Sequence, residues 1–398
     1  MDMIYFDNAA TSFPKPPQVA EAMARFLAED AANPGRAGHR MAVRAERLLD
    51  AVRLKLARLF NGEDPRRMIF ALNGTDALNM AIKGVLAADG SEHVVTTVLE
   101  HNSVSRPLQA MAASGAIELT RVGCDGRGFV DPDDVRKAIR PSTRLIVMTH
   151  ASNVLGTIQD AAAAGAIARE RDLLFCLDAA QTAGALPIDV QAMHVDLLAF
   201  PGHKSLLGPT GTGGLYVGAR CPPPADPPIP RPGTLRAWRE GGTGGDSSSP
   251  TQPAEYPYFL EGGTPNTVGI AGLGAALDYL LARETAAILD HERRAARTIL
   301  DRIAGDARFV LYGPPDVERR VGPLSINVAG FEPADAAAIL DDSFDIAVRP
   351  GLHCAPYCHR SLGTFPAGTL RIAPGPFTTD DDVAALLEAL DQIAGQGL

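Results

Sequence analysis

Lysine is scarce in this chain, and one lysine stands where chemistry can use it. Only five of the 37 basic residues are lysines: Lys15, Lys55, Lys83, Lys137 and Lys204. Lys55, Lys83 and Lys137 fall on helical patterns, where a solvated face accounts for them, and Lys15 lies in a proline-rich turn. Lys204 alone follows an apolar run directly, in the order Phe200-Pro-Gly-His-Lys204. An amine whose pKa is depressed by its surroundings attacks carbonyl groups. Four further polar clusters close apolar runs: Asn73-Gly74-Thr75-Asp76, Glu100-His101-Asn102, His150-Ala-Ser-Asn153 and Asp178-Ala-Ala-Gln181. One such cluster carries little, but five at successive run ends are hard to explain by folding alone. Gly74-Thr75 opening a helix offers amides and a hydroxyl to a phosphate, and an aspartate pairs with a protonated pyridine nitrogen. An imidazole stacks on an aromatic ring. Together these functions match pyridoxal 5'-phosphate. A nicotinamide cofactor fits poorly, because no Gly-x-Gly-x-x-Gly follows an early strand.

The second reactive group is a thiol. Cys354 sits in Arg349-Pro-Gly-Leu-His353-Cys354-Ala, a pattern suited to an exposed loop that swings, with His353 and Arg349 placed to lower the thiol pKa. Cys358 and His359 close by raise the alternative of zinc. Tetrahedral sites, however, draw on a second and distant ligand pair, whereas these four residues lie together and two of them are adjacent, so no metal is expected. Cys358 reads as a bystander, with a resolving thiol as the alternative.

Positioning these groups needs a scaffold. Short apolar runs at Met68–Ala71, His93–Val98, Ile117–Val122, Leu145–Thr149, Leu173–Leu177, Leu197–Phe200 and Gly214–Val217 alternate with helical patterns at Asp76–Ala88, Ser103–Ala113, Pro132–Ile139 and Ala161–Arg171. Continuous apolar runs mark strands covered on both faces. The alternation predicts an α/β domain with a mainly parallel seven-stranded sheet, whose ligands gather beyond the carboxyl ends of the strands. A long helical pattern from Val268 to Ile303, strands at Phe309–Leu311, Leu324–Val328 and Leu370–Ile372, and a helix at Asp380–Ala394 predict a smaller α+β domain. Between the two lies Cys221–Pro232, with seven prolines, and a Gly- and Ser-rich stretch at Gly241–Pro250; both read as solvated loop.

The 398 residues carry 46% hydrophobic side chains and a formal charge of −10, which argues against a nucleic acid as partner. No apolar run reaches the ~18 residues of a membrane span, the opening residues lead one to expect no secretory signal, and five scattered cysteines make no disulfide framework. A cytoplasmic protein is expected.

Asp178-Ala-Ala-Gln181 with Gly202-His203-Lys204 resembles the cofactor motif of class V aminotransferase-fold enzymes. Arg349-Pro-Gly-Leu-His353-Cys354-Ala resembles the catalytic loop of cysteine desulfurases, in their short-loop, selenocysteine-lyase-like branch. The likeness runs from Tyr5-Phe-Asp-Asn-Ala-Ala to Arg371 and beyond. It implies the type I fold of pyridoxal phosphate enzymes, with a large domain over 15–265 and a smaller one from 1–14 and 266–398 that carries the cysteine loop. It implies a homodimer, with Thr264 reaching the neighbouring subunit's cofactor phosphate. Lys204 would carry the cofactor and move the substrate's Cα proton, Asp178 would hold the pyridine nitrogen, and Gln181 the phenolic oxygen. His101 would stack on the ring and relay protons; Gly74, Thr75 and His203 would hold the phosphate; Asn153 would contact cofactor or substrate. Arg371 would clamp the substrate carboxylate, with Arg349 shaping the cysteine loop. The implied reaction converts L-cysteine, or a related small amino acid, to L-alanine with a persulfide on Cys354 for a protein acceptor. Selenocysteine lyase, another C–S lyase, a class V aminotransferase or a sulfur-relay scaffold are the alternatives. Pro201 stands where many members of the family place a hydroxyl, and Arg371 is followed by Ile-Ala-Pro rather than a small residue and serine.

Overall fold

The computed structural model describes residues 3–35, 38–223, 234–243, 248, 250–283 and 285–396. The chain opens with strand β1 (Ile4–Tyr5) and helices α1 (Pro17–Glu29) and α2 (Arg40–Phe60). An alternating region follows: β2 (Met68–Ala71), α3 (Gly74–Val85), β3 (His93–Thr97), α4 (Asn102–Ala113), β4 (Glu118–Val122), α5 (Pro132–Ala138), β5 (Thr143–Thr149), α6 (Ala161–Glu170), β6 (Leu174–Asp178), β7 (Leu197–Pro201) and β8 (Gly213–Val217). Strands β2 to β8 form one sheet in the order β2-β8-β7-β6-β5-β3-β4. Only β8 runs against its neighbours, so the carboxyl ends of β2, β3, β5, β6 and β7 share one edge.

The apolar runs are continuous because both faces are covered. In β6, Phe175 and Leu177 enter one core while Leu174 and Cys176 enter the other. Strand β7 splits the same way, with Leu198 and Phe200 on one side and Leu197 and Ala199 on the other. A period of two thus feeds two helical layers.

The long pattern after Asn266 is two helices, α7 (Thr267–Arg283) and α8 (Thr285–Ile303). They serve different cores. Ile270, Leu273 and Leu277 of α7 join the large-sheet core that α2 also covers, whereas Ile299 and Leu300 of α8 join the second core. The sequence put the division at 265/266; the change of core falls between α7 and α8. The second unit comprises β9 (Phe309–Tyr312), β10 (Leu324–Val328), α9 (Pro333–Phe344), β11 (Ile346–Ala347), β12 (Arg349–Gly351), α10 (Pro356–Leu362), β13 (Thr369–Ile372) and α11 (Asp380–Gln396), but Cys358 of α10 packs back into the large-sheet core. Its four-stranded sheet runs β12-β13-β10-β9, and β1 pairs with β11, which ties the first residues of the chain to this unit. Residues 224–233 and most of 244–249 lie outside the described residues, so the reading of those stretches as solvated loop is not addressed. Among the described residues no helix is long and apolar enough to cross a membrane.

Candidate active site

The five strand-end clusters converge on one cavity of about 210 Å3. After β2, Gly74 and Thr75 line it; after β3, His101; after β5, Asn153; after β6, Asp178 and Gln181; after β7, His203 and Lys204. The second unit supplies Arg349 from β12 and Arg371 from β13, which face each other directly across the two strands. The sequence found all of these.

Helix α3 makes one wall an anion site. Asn73 caps it by accepting the Asp76 amide on Oδ1 at 2.9 Å, and the Ala77 amide goes to the Asn73 carbonyl. The Gly74 and Thr75 amides are left for a ligand, as the first amides of any helix are. The turn at Gly74 lies against Pro201. Pro201 lines the cavity and offers no hydroxyl. His203 Nδ1, on the neighbouring turn, is buried without a partner among the described residues.

Burial sets the charge states. It lowers Lys204 to about 8, while the Asp178 carboxylate pulls the other way. Asp178 is raised by burial and held down by the Ala180 amide, which donates to its Oδ1 at 2.9 Å, and by Lys204. Just behind lies Glu100, pushed up to about 8 by burial and so protonated at neutral pH; its Oε1 accepts from Thr97 Oγ1 at 2.7 Å and from the Thr149 amide at 3.2 Å. Of the two buried carboxyls, only Asp178 has the Lys204 amine to favour its charged form. His101 is lowered to about 4, first by burial and then by Lys204. Its Nδ1 accepts from the Ser103 amide at 3.0 Å, so the proton of the neutral ring is on Nε2.

Gln181 lies in a turn rather than one helical turn beyond Asp178, and its Nε2 donates to the Ala9 carbonyl at 3.1 Å. Arg371 is almost wholly buried: Nη2 meets Asp7 Oδ1 at 2.6 Å, Nη1 donates to the Asn153 carbonyl at 3.1 Å, and Nε has no partner. Thr264 is exposed and does not line its own chain's cavity.

Cys354 is half-buried and lines an adjoining, more open groove of about 630 Å3 rather than the cavity of Lys204; His101, Thr75 and Ser103 form the wall between the two. The loop is pinned, not loose. The Cys354 carbonyl accepts from the Asn102 amide at 2.7 Å, the His353 carbonyl from Asn153 Nδ2 at 2.6 Å, and both residues adopt left-handed backbone, with φ of 59° and 47°. His353 cannot supply a positive charge to the thiol, as the sequence reading allowed. Burial and the Arg371 guanidinium push it down to about 2. Cys358 is fully buried and raised to about 12, an inert thiol. Among the described residues no three His, Cys, Asp or Glu side chains gather as metal ligands.

The sequence reading passed over the amino-terminal segment. Ala9 and Ala10 line the cavity, and the His203 carbonyl accepts from Thr11 Oγ1, the Ser12 amide and Lys15 Nζ at 3.1, 3.1 and 2.7 Å. Lys15, set aside as a turn residue, braces the turn that carries Lys204. A lysine a few residues after the Asn8-Ala-Ala run, which the family resemblance already included, was the available signal.

An amide cradle at the start of α3, the buried Asp178 carboxyl and the depressed Lys204 amine share one cavity, a set that fits pyridoxal 5'-phosphate. Comparison with known proteins agrees. Residues 4–386 match the model of the aminotransferase class-V family. A probable cysteine desulfurase of Methanothermobacter thermautotrophicus is 34% identical over 100% of this chain and 96% of its own length. The apo structure of the cysteine desulfurase from Thermococcus onnurineus is 31% identical with a TM-score of 0.90, covering 99% of this chain and 95% of that one. The Escherichia coli cysteine desulfurase CsdA, in its S-sulfonic acid form, is 28% identical with a TM-score of 0.86, covering 100% and 96%.

Proposed function

The chain belongs to the class V aminotransferase family, and we propose that it is a pyridoxal phosphate-dependent cysteine desulfurase that leaves the sulfur of L-cysteine as a persulfide on Cys354. One observation carries this reading: Lys204, Asp178 and Arg371 share a cavity whose wall, His101, is also the wall of the groove that holds Cys354. In the overall change the C–S bond of cysteine breaks, an S–S bond forms to Cys354, the carbon takes up a proton, and alanine leaves.

Gly74, Thr75 and His203 would hold the cofactor phosphate, Asp178 the ring nitrogen and Gln181 the phenolic oxygen. The bound cofactor supplies an electron sink that acidifies the substrate Cα. Lys204, with its depressed pKa, takes and returns the proton at Cα. Arg371 holds the α-carboxylate with its charged fork, and His101, neutral with Nε2–H, donates toward the reacting centre. Cys354 attacks the substrate sulfur as a thiolate. Cys354 lies on the groove side of the His101 wall, so its attack requires the loop or that wall to move, and the open groove is the route by which a protein sulfur acceptor would reach it. The functional unit is a cytoplasmic homodimer in which Thr264 completes the partner's phosphate site.

The test is Cys354→Ala in a panel of L-cysteine, L-selenocysteine and cysteine sulfinate, with alanine and added sulfur mass on the Cys354 peptide as readouts. Loss of persulfide and of alanine from cysteine, with the cofactor absorbance intact, is the expected result. Undiminished amino-group exchange with keto acids and no persulfide in the unaltered protein would make it an aminotransferase instead.

A further inference from the structure

Arg349 and Arg371 stand opposite each other on neighbouring strands and both line the cavity. Like charges placed so repel, and an anion must answer them. The chain supplies one. Asp7 puts Oδ1 2.6 Å from Arg371 Nη2, and its position is fixed by the backbone on either side. The Ala373 amide donates to the Phe6 carbonyl at 2.6 Å, and Asn8 Nδ2 donates to the Ala373 carbonyl at 3.0 Å. With Nη1 held by the Asn153 carbonyl, the plane of the guanidinium is set from two sides, and Nε is the buried donor left without a partner.

We propose that Asp7 is a positioning residue and built-in counter-ion. It orients the Arg371 fork and cancels one of the two arginine charges, so that the site accepts a ligand with a single carboxylate. This rests on the reading of Arg371 as the carboxylate clamp. Asp178 and Lys204 also line the cavity, and Lys204 interacts with Arg349, Arg371 and Asp7, but neither group changes between the Asp7 variants, so their contribution is common to all of them. Asp7→Asn keeps an oxygen acceptor for Nη2 and removes the charge, so it separates orientation from charge.

The experiment is calorimetric titration of the cofactor-bearing enzyme, without cysteine, with propionate and with malonate. In Asp7→Asn, malonate affinity relative to propionate rises about tenfold, as one uncancelled unit charge near a partly buried ligand predicts. Asp7→Glu, which keeps the charge, retains the original ratio, and Asp7→Ser shows the same shift as Asp7→Asn should the latter fold poorly. A merely structural Asp7 would alter stability without altering this ratio. Unchanged ratios in Asp7→Asn and Asp7→Ser, with propionate binding abolished in Arg371→Met, would overturn the proposal for Asp7. Propionate binding that survives Arg371→Met would overturn the clamp itself.

Discussion

At Lys204 burial outweighs charge. Asp178 nearby would by itself hold the ammonium protonated, yet loss of water around the amine brings it from 10.5 to about 8. The direction follows from which form burial penalises: the cation is disfavoured, so the neutral nucleophile becomes the majority above about pH 8 rather than above 10.5. Reductive methylation of cofactor-free protein with formaldehyde should therefore modify the Lys204 peptide with a midpoint near pH 8, while exposed Lys137 keeps rising well beyond it. A Lys204 profile that tracks Lys137 would show that the amine is not desolvated. Burial acts on His353 as well, with a different consequence. Ser325 Oγ donates to the Val154 carbonyl at 2.7 Å, Thr369 Oγ1 donates to Ser325 Oγ at 3.0 Å, and Thr369 is left only acceptors for His353 Nε2. The proton of His353 is thereby fixed on Nε2, and the residue anchors the cysteine loop rather than activating its thiol.

Loops next to the strands carry the site; the strand-end loops could be read from the sequence, while the amino-terminal segment and the bonds that hold the cysteine loop could not. Asp178 and the Pro201–Lys204 turn close continuous apolar runs, so those runs located them. The amino-terminal segment has no such pattern. Its two-residue β1 pairs with Ile346–Ala347 far along the chain, and Asp7 bridges Ala373; these distant pairings bring Asp7 to Arg371. Cys354 was found by motif, but its pinning depends on Asn102 and Asn153, whose bonds to the loop no local spacing encodes. The loop Asn153–Gly156 is the element that joins the two units. Leu155 and Val154 carbonyls accept from Arg320 Nη2 and Ser325 Oγ at 3.0 and 2.7 Å, and the Gly156 carbonyl accepts from the Val321 amide at 2.9 Å. Gly156 has φ +72°, and a Cβ there would collide with the Pro323 carbonyl and stand 2.7 Å from the Val321 carbonyl. Gly156→Ala should cost about 2 kcal/mol or more in urea unfolding. It should also raise KM for cysteine, because Asn153 shifts away from Arg371, with the cofactor absorbance kept. A variant as stable as the parent would mean that the loop yields freely and does not couple the units.

For the whole molecule the question is where Thr264 acts. The residue is exposed, follows Gly263 at φ +93° with open space around it, and stands outside the cavity it would serve if it worked within its own chain. The Gly74–Thr75 amides and His203 leave the phosphate site without a hydroxyl from Pro201, so a hydroxyl arriving from a second subunit has a place to go. Mixed dimers decide this. A Lys204→Ala subunit retains Thr264, and a Thr264→Ala subunit retains Lys204. If Thr264 crosses the interface, unfolding and refolding the two variants together creates one complete site per mixed dimer. Cofactor retention and alanine production then recover to about a quarter of the unaltered level, since half of the dimers are mixed and each has one working site. If Thr264 acts within its own chain, both sites of the mixed dimer are defective and mixing restores nothing. A chain that runs as a monomer at micromolar concentration in light scattering would remove the interface and, with it, any role for Thr264 in the phosphate site.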